Sequence, residues 1–204
     1  MARALDVITL LPWRDLSPSA QVDVLGWCAE VKPALRLARN HYVHDVCGPV
    51  RAWATLVGAS VAYDEKFIVV AEADAGAIVV IDGSSTPHEY ELGMRLGYPP
   101  CCAENIKRVT ESRIDAYARQ AARWPFPSTH KLCDPSGYLT GRALISHLPC
   151  APACDASLEL ALAAAALIDS LPLDRRLPFS TWAATLRRLR ADPMTPRRRD
   201  TPRC

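Results

Sequence analysis

The residues with the clearest chemical potential in this sequence are its cysteines. Five of the eight fall within a stretch of 54 residues, and the other three are scattered. The clustered cysteines are Cys101, Cys102, Cys133, Cys150 and Cys154. In a reducing compartment, a group of thiols is more often a metal or catalytic site than a disulfide framework. The block therefore predicts one site, whereas Cys28 and Cys47 are typical of small apolar packing residues.

Three chemistries remain open for this block. An iron–sulfur cluster is preferred, because thiolates predominate and the repeated CxxC spacing of zinc ribbons is absent. Zinc is the alternative cofactor, and His130 and His147, which each precede a cysteine by three residues, would be available as further ligands. The third possibility is a thiol–disulfide switch between Cys102 and Cys150 or Cys154, which requires no metal.

Histidines are the candidate catalytic groups. His147, close to the cysteines in sequence, is predicted to be a metal ligand or a proton donor, and His88 is a candidate general base. His41 and His44 are spaced i and i+3 and could share one face of a helix. The motifs GxxxxGK[ST], GxSxG and HExxH are absent from the sequence, which disfavours nucleotide-dependent phosphoryl transfer and familiar serine or zinc hydrolysis.

Two stretches carry a resemblance to a known family. The sequences HEYELGMRLGYPPCCAENIKR (88–108) and HLPCAPACDASLELA (147–161) resemble an uncharacterised prokaryotic family with a GYPxCC motif followed by an HxPCxxxCxxS motif. The resemblance covers about 36 residues and implies a common site formed by Cys101, Cys102, His147, Cys150, Cys154 and Ser157. No activity is assigned to the family, so the resemblance supports a site and not a reaction.

The N-terminal half predicts helices followed by a sheet. Residues 17–40 carry an approximately helical apolar stripe, which Pro33 divides into two helices. Between 53 and 82 the runs WATLVG, FIVVAEA and AIVVID are short and rich in β-branched residues, as is typical of strands. Asp74-Ala75-Gly76, between the last two runs, predicts a hairpin turn.

The C-terminal half predicts helices that begin at the thiols. A capping box of Thr86 and Glu89 starts a helix that stops at Gly97, and Asp155 caps a later one. The further predicted helices cover about 101–121, about 156–170 and about 180–190. Because helix N-termini favour thiolates, convergence of two helix starts would present up to four sulfurs to one metal or cluster.

Together these elements predict an α+β fold in a single domain over residues 1–190. A small antiparallel sheet is expected within about 50–83 and a mainly helical, Cys-rich region within about 86–170. Residues 191–204 are expected to form a basic disordered tail. Half of the residues are hydrophobic and 23% are charged, which indicates a globular protein.

The net charge of +2 conceals an uneven distribution. Residues 187–204 hold seven Arg and two Asp, a balance of +5, so the rest of the chain carries −3. The basic tail is expected to have at most a weak contact with nucleic acid or an acidic protein. No apolar run is long enough to span a bilayer and no secretory signal is evident, which predicts a cytoplasmic protein without a membrane partner.

The leading functional hypothesis is a metal- or cluster-dependent enzyme that acts on a small molecule in metabolism or specialised biosynthesis. The alternative is a zinc-stabilised, non-catalytic binding or regulatory module whose basic tail contacts nucleic acid or protein. A second alternative is a thiol–disulfide redox protein. An enzyme should keep an open coordination position beside His147 or His88, whereas a structural zinc site should be closed by four protein ligands.

Overall fold

The fold mixes short helices and strands in its N-terminal half and is helical after that. The computed structural model describes residue 11 and residues 16–28, 30–39, 46–82, 88–138 and 142–170. The helices are α1 (Pro18–Cys28), α2 (Cys47–Leu56), α3 (Ala75–Asp82), α4 (Glu89–Arg95), α5 (Pro100–Val109), α6 (Ile114–Ala121) and α7 (Asp155–Ser170). The strands are β1 (Ala34–Ala38), β2 (Ser60–Tyr63) and β3 (Phe67–Ala71), and short 3-10 helices lie at Glu111–Arg113, Ser128–Cys133 and Pro135–Gly137.

A three-stranded antiparallel sheet in the order β1-β3-β2 forms the centre of the N-terminal half. Leu35 of β1 and Val61 of β2 both pair with Val70 of β3, which defines the register. Side chains alternate between the faces of a strand, so Leu35 and Val70 enter one apolar cluster, whereas Ala34 and Val69 enter another. Both faces of the sheet are therefore covered.

Helices provide that cover. On one face α1, α2 and α7 complete the main core, in which the rings of Trp27 and Trp53 meet edge to face, 5.1 Å apart. On the other face Ala75 and Ile78 of α3 pack against the sheet, together with Leu96. The predicted α+β class is thus confirmed: a small antiparallel sheet with flanking helices and a mainly helical C-terminal half.

The hairpin predicted at Asp74 is wrong, because the chain enters a helix there. β3 ends at Ala71 and α3 begins at Ala75. The Ala77 backbone N–H donates a 3.0 Å hydrogen bond to Asp74 Oδ1, so this carboxylate caps a helix instead of forming a turn between strands. The run AIVVID is apolar throughout, a pattern that suits a buried strand and a buried helix equally.

The strand predicted for WATLVG is also wrong. These residues belong mostly to α2, in which Val50, Trp53 and Ala54 are buried. Their spacing of three and four residues is the helical one. This spacing cannot be seen within the run WATLVG, because Val50, the first of the three buried residues, precedes that run.

The second helix predicted within 17–40 is instead the strand β1. Pro33 separates it from α1, and the following residues ALRLA alternate between the two sheet faces. Leu35 and Leu37 enter the main core, as one face of a strand does. The sheet therefore lies within 34–71, not within 50–83.

The predicted helix before the cysteines is present as α4 and stops at Gly97. Gly97 has a φ of +78°, and a Cβ atom there would lie 2.5 Å from Pro33 Cδ, so this position requires glycine. The single helix predicted over about 101–121 is in fact α5 and α6. Thr110, with a φ of +66°, ends α5 and separates the two.

Several predicted features fall on positions that the structure leaves undescribed. They are His41, His44, the Thr86 cap, the helix at about 180–190 and the tail at 191–204. None of the helices that are described combines the length and apolar character needed to cross a membrane.

Candidate metal centre

Two helix starts converge and bring four cysteine sulfurs together. The sulfurs of Cys101, Cys102, Cys150 and Cys154 all lie within 4.8 Å of one another. Cys101 Sγ is 3.9 Å from Cys102 Sγ and 3.8 Å from Cys154 Sγ, and Cys102 Sγ is 3.7 Å from Cys154 Sγ. Four thiols at this spacing could hold a metal ion.

The first pair of thiols is positioned by the turn GYPPCC. The Pro99 carbonyl accepts hydrogen bonds of 2.9 Å from the backbone N–H groups of Cys102 and Ala103. Pro100 occupies the first helical position, where a missing N–H costs little. Cys101 and Cys102 therefore lie in the first turn of α5, where the partial positive charge of the helix favours a thiolate.

The second pair precedes α7. The Cys154 carbonyl accepts a 3.1 Å hydrogen bond from the Leu158 backbone N–H, which makes Cys154 the N-cap residue, one position before the predicted cap Asp155. Its sulfur accepts a hydrogen bond from the Ser157 backbone N–H. The thiol thus takes the place of the oxygen that usually caps a helix. Cys150 lies in the segment leading to this cap.

Burial and hydrogen bonding distinguish the four thiols. Cys102 and Cys154 are buried, whereas Cys101 and Cys150 are partly exposed. The hydrogen bond from Cys102, reinforced by those from Ser157, lowers the pKa of Cys154 below its usual range. That same bond, followed by burial, raises the pKa of Cys102, and burial raises the pKa of Cys101. Cys154 therefore ionises more readily than Cys101 and Cys102, and a bound cation would favour the thiolate form of all its cysteine ligands.

No protein-family model matches this chain, and neither does any curated protein or solved structure. Its function is therefore inferred from the four thiols and from the residues around them.

A polar chain connects the sulfurs to His147. Cys102 Sγ is 3.4 Å from Ser157 Oγ, which is 2.8 Å from His147 Nε2. A thiolate only accepts hydrogen bonds, so the Ser157 hydroxyl would donate its one proton to a sulfur and accept from the Nε2–H group of His147. Burial lowers the pKa of His147 to about 3, with help from the charge of Lys32. The imidazole is therefore neutral at pH 7 and reaches the thiols through Ser157.

Tyr117 holds the segment that carries Cys150. Its hydroxyl donates a 2.9 Å hydrogen bond to the Pro149 carbonyl, and Asn105 Nδ2 donates a 2.7 Å hydrogen bond to that hydroxyl. These contacts join α5, α6 and the segment before Cys150. Asn105 and Tyr117 could not be predicted from the sequence, because their role depends on a contact with a distant carbonyl that leaves no pattern there.

The remaining predicted site residues lie outside the four-thiol group. Cys133 is buried in the 3-10 helix Ser128–Cys133, and burial raises its pKa to about 12. His130 is also buried, with Nδ1 3.0 Å from Thr129 Oγ1. His88 is the N-cap residue of α4. Within the described part of the chain, the group is built from four of the five predicted cysteines.

Proposed function

We propose that Cys101, Cys102, Cys150 and Cys154 bind one zinc ion and that this ion has a structural role. The sulfur spacing is the observation that carries the proposal. A tetrahedral ion with metal–sulfur bonds of about 2.3 Å keeps its sulfurs about 3.8 Å apart. Three of the sulfur pairs are separated by 3.7 to 3.9 Å. The four thiols therefore match the ligand set of a single small ion.

An iron–sulfur cluster, which the sequence favours, fits this spacing less well. The cysteines of such a cluster bind different irons, which are bridged by sulfide, so their sulfurs stand farther apart than around one ion. Structural zinc sites are tetrahedral, and a set of four cysteines is one of their usual forms. A single iron bound by four thiolates would have similar geometry, and its colour distinguishes it from zinc.

The completeness of the ligand set favours a structural role over catalysis. Catalytic zinc keeps a position open for water or substrate, whereas four protein ligands close a structural site. Four thiols are already available here, and His147 is connected to them through Ser157. An ion bound by all four would join the start of α5 to the segment that precedes α7, which is far away in the sequence.

Thiol–disulfide exchange is the second candidate function, and the Cys102–Cys154 pair favours it. The two sulfurs are 3.7 Å apart, and Cys154 ionises readily, as an attacking thiol must. A disulfide substrate would be the oxidant: one S–S bond forms between Cys102 and Cys154, the substrate S–S bond breaks, and the two electrons and two protons leave on the two substrate thiols. This chemistry needs no metal.

Metal analysis of anaerobically purified protein separates these candidates. We expect about one zinc per chain, no acid-labile sulfide and no visible colour. Brown protein with iron and sulfide would contradict zinc in favour of a cluster, and red protein with one iron and no sulfide would indicate a single iron. Metal-free, stable protein that cycles between dithiol and disulfide with a dithiol reductant would leave the redox function.

Single cysteine variants identify the ligands. Cys150→Ser should lose zinc, because it removes one of the four thiols, whereas Cys47→Ser, outside the group, should retain the full amount. Cys133→Ser should also retain zinc, since Cys133 lies outside the group. Wild-type zinc content in Cys150→Ser would remove that residue from the site, and loss of zinc in Cys133→Ser would restore the fifth predicted cysteine.

A further inference from the structure

A polar cavity of about 250 Å³ adjoins the wall that carries Tyr98. The Tyr98 ring also stacks on His147, with ring centroids 5.2 Å apart, so this residue separates the cavity from the polar chain that leads to the thiols. α1 and β1 supply much of the lining, and none of the four clustered cysteines belongs to it. The cavity is therefore distinct from the candidate metal centre.

One side of the cavity carries a buried ion pair. Lys32 Nζ donates hydrogen bonds to Asp23 Oδ1 at 2.5 Å and to Ser146 Oγ at 2.6 Å, and the Tyr138 hydroxyl donates to Asp23 Oδ2 at 3.2 Å. The side chains of Lys32 and Asp23 are only 11% and 4% exposed. A carboxylate and an ammonium group thus stand together at the cavity wall.

A second cation lies on β1. Arg36 pairs with Asp82 of α3, with Arg36 Nη2 2.8 Å from Asp82 Oδ1, and its guanidinium lies 3.5 Å from the centre of the Phe67 ring. Arg36 and Phe67 both line the cavity, and Leu37 and Leu96 add apolar surface to it. The cavity therefore offers positive, negative and apolar surface within one small volume.

The stability of the fold does not explain this arrangement. Withdrawing paired charges from water costs about as much as their attraction returns, and well-packed apolar residues usually serve stability as well or better. Here the paired charges also line a cavity. Small-molecule sites combine a concave apolar surface with a few fixed polar groups, and this cavity has both kinds of surface.

Tyr98 provides an additional polar group at the cavity. Burial raises the pKa of its hydroxyl, and the nearby carboxylates of Asp23 and Asp82 raise it further. Among the described residues, however, the structure gives the hydroxyl no hydrogen-bond partner, whereas the Tyr138 hydroxyl on the same cavity bonds to Asp23. A ligand in the cavity would offer the Tyr98 hydroxyl a hydrogen-bond partner.

We infer that this cavity binds a small zwitterion, a free α-amino acid with an apolar side chain. Asp23 receives the ammonium group, Arg36 and Lys32 attract the carboxylate, and the side chain lies against Leu37 and Leu96. The charges explain the choice, because both signs line the cavity: Asp23 is negative and Lys32 is positive, while the charge of Arg36 is balanced by Asp82, which lies outside the lining. Asp23 would repel a ligand that carries only a negative charge, and Lys32 and Arg36 would repel one that carries only a positive charge. Neither should bind as well as the zwitterion.

Titration calorimetry on the full chain tests this inference with matched probes. L-Phenylalanine and L-leucine are compared with 3-phenylpropionate, which lacks the amine, and with 2-phenylethylamine, which lacks the carboxylate. We expect at least one amino acid to bind and both single-charge analogues to bind at least tenfold more weakly. Equal binding of either analogue would overturn the zwitterion assignment, as would no binding by any of the twenty amino acids.

Two substitutions locate the binding site. Tyr98→Phe keeps the ring on His147 but removes the hydroxyl, and the loss of one hydrogen bond should weaken binding by roughly threefold to tenfold. Tyr90→Phe makes the same change on an exposed tyrosine of α4, outside the cavity lining, and should leave affinity unchanged. Unchanged affinity in Tyr98→Phe would place the ligand elsewhere.

Asp23→Asn removes the carboxylate that receives the ammonium group, and binding should fall by more than tenfold. Circular dichroism checks that this variant folds, since Lys32 loses its ion pair; if it does not fold, Tyr98→Phe decides. The inference does not rest on zinc. Amino-acid binding by protein that carries no zinc would contradict only the metal proposal, and zinc content without binding would contradict only this one.

Discussion

The hydroxyl group of Ser157 connects the thiols to the rest of the molecule. It lies 3.4 Å from Cys102 Sγ and 2.8 Å from His147 Nε2, and it is fully buried. Partners of this kind orient metal ligands in the way that hydrogen-bonded carboxylates orient ligating histidines. Ser157→Ala should therefore retain the four thiols but weaken zinc binding by roughly tenfold to a hundredfold, as measured by competition with a chromophoric chelator. Wild-type affinity would show that the hydroxyl does not support the site.

His147 makes stability depend on pH. Its pKa falls from 6.5 to about 3 on folding, so between these values only the unfolded chain binds the proton. The free energy of unfolding therefore has its full value above pH 6.5 and decreases as the pH falls, by about 1.4 kcal/mol between pH 7.5 and 5.5. His147→Gln should lack this increment, as measured by urea unfolding of both proteins at both pH values with metal content checked. The same pH dependence in the variant would show that the folded protein also binds a proton at His147 between pH 7.5 and 5.5, as the unfolded chain does.

At the scale of the elements, the sequence predicted capped and interrupted helices better than it predicted apolar runs. The start of α5 at the PPCC turn and the stop of α4 at Gly97 have local causes, a proline at the first helical position and a glycine with positive φ. The run AIVVID has no such marker on its own. Its choice of helix over strand depends on the cap at Asp74 and on packing against the sheet.

Substitutions at Asp74 test whether its carboxylate stabilises the start of α3. Asp74→Ala removes the acceptor of the Ala77 N–H bond and should cost about 0.5–2 kcal/mol of unfolding free energy. Asp74→Asn is the matched control, because asparagine caps helices equally well and tolerates the φ of +47° at this position. Urea titrations of the three proteins give the comparison. Equal losses in both variants would mean that the charge, and not the cap, matters here.

Gly97 lies between α4 and the turn that leads to the thiols, beside the cavity-lining residues Leu96 and Tyr98. An alanine Cβ would lie 2.5 Å from Pro33 Cδ at a φ of +78°, so Gly97→Ala should destabilise the fold by about 1–3 kcal/mol. Gly48→Ala is the control, since nothing lies within 4 Å of its added carbon. Thermal unfolding compares the two. A Gly97→Ala protein as stable as the control would show that this turn adapts.

At the scale of the whole molecule, the contacts that build both sites join distant parts of the chain. The clustering of the four thiols was predictable in outline, because two motifs placed them at helix starts. The cavity was not, because Asp23 and Lys32 belong to segments dominated by apolar residues, and Ser146, the second partner of Lys32, lies 114 residues beyond it. The sequence signal for the cavity is the presence of charged residues inside apolar segments, and only the fold shows that these residues line a common cavity.

The proposed ion should therefore control the C-terminal half more than the sheet. It would join α5 to the segment before α7, whereas β1, β2 and β3 are held by their own pairing and by both apolar clusters. Structural zinc contributes on the order of 10 kcal/mol in small domains, comparable with the total stability of a typical domain. Chelation should lower the melting temperature and expose the backbone amides of α5 and of the first turns of α7 to hydrogen exchange.

Hydrogen exchange with mass spectrometry on zinc-loaded and chelated protein measures this difference. Peptides from α5 and from the segment 142–160 should lose protection first, while peptides from β3, whose strand is paired on both sides, should change least. Cys150→Ser should reproduce the chelated pattern without chelator, and Cys47→Ser should match the loaded protein. Equal protection with and without metal would mean that packing alone holds the two helix starts together, and the structural role of the ion would be lost.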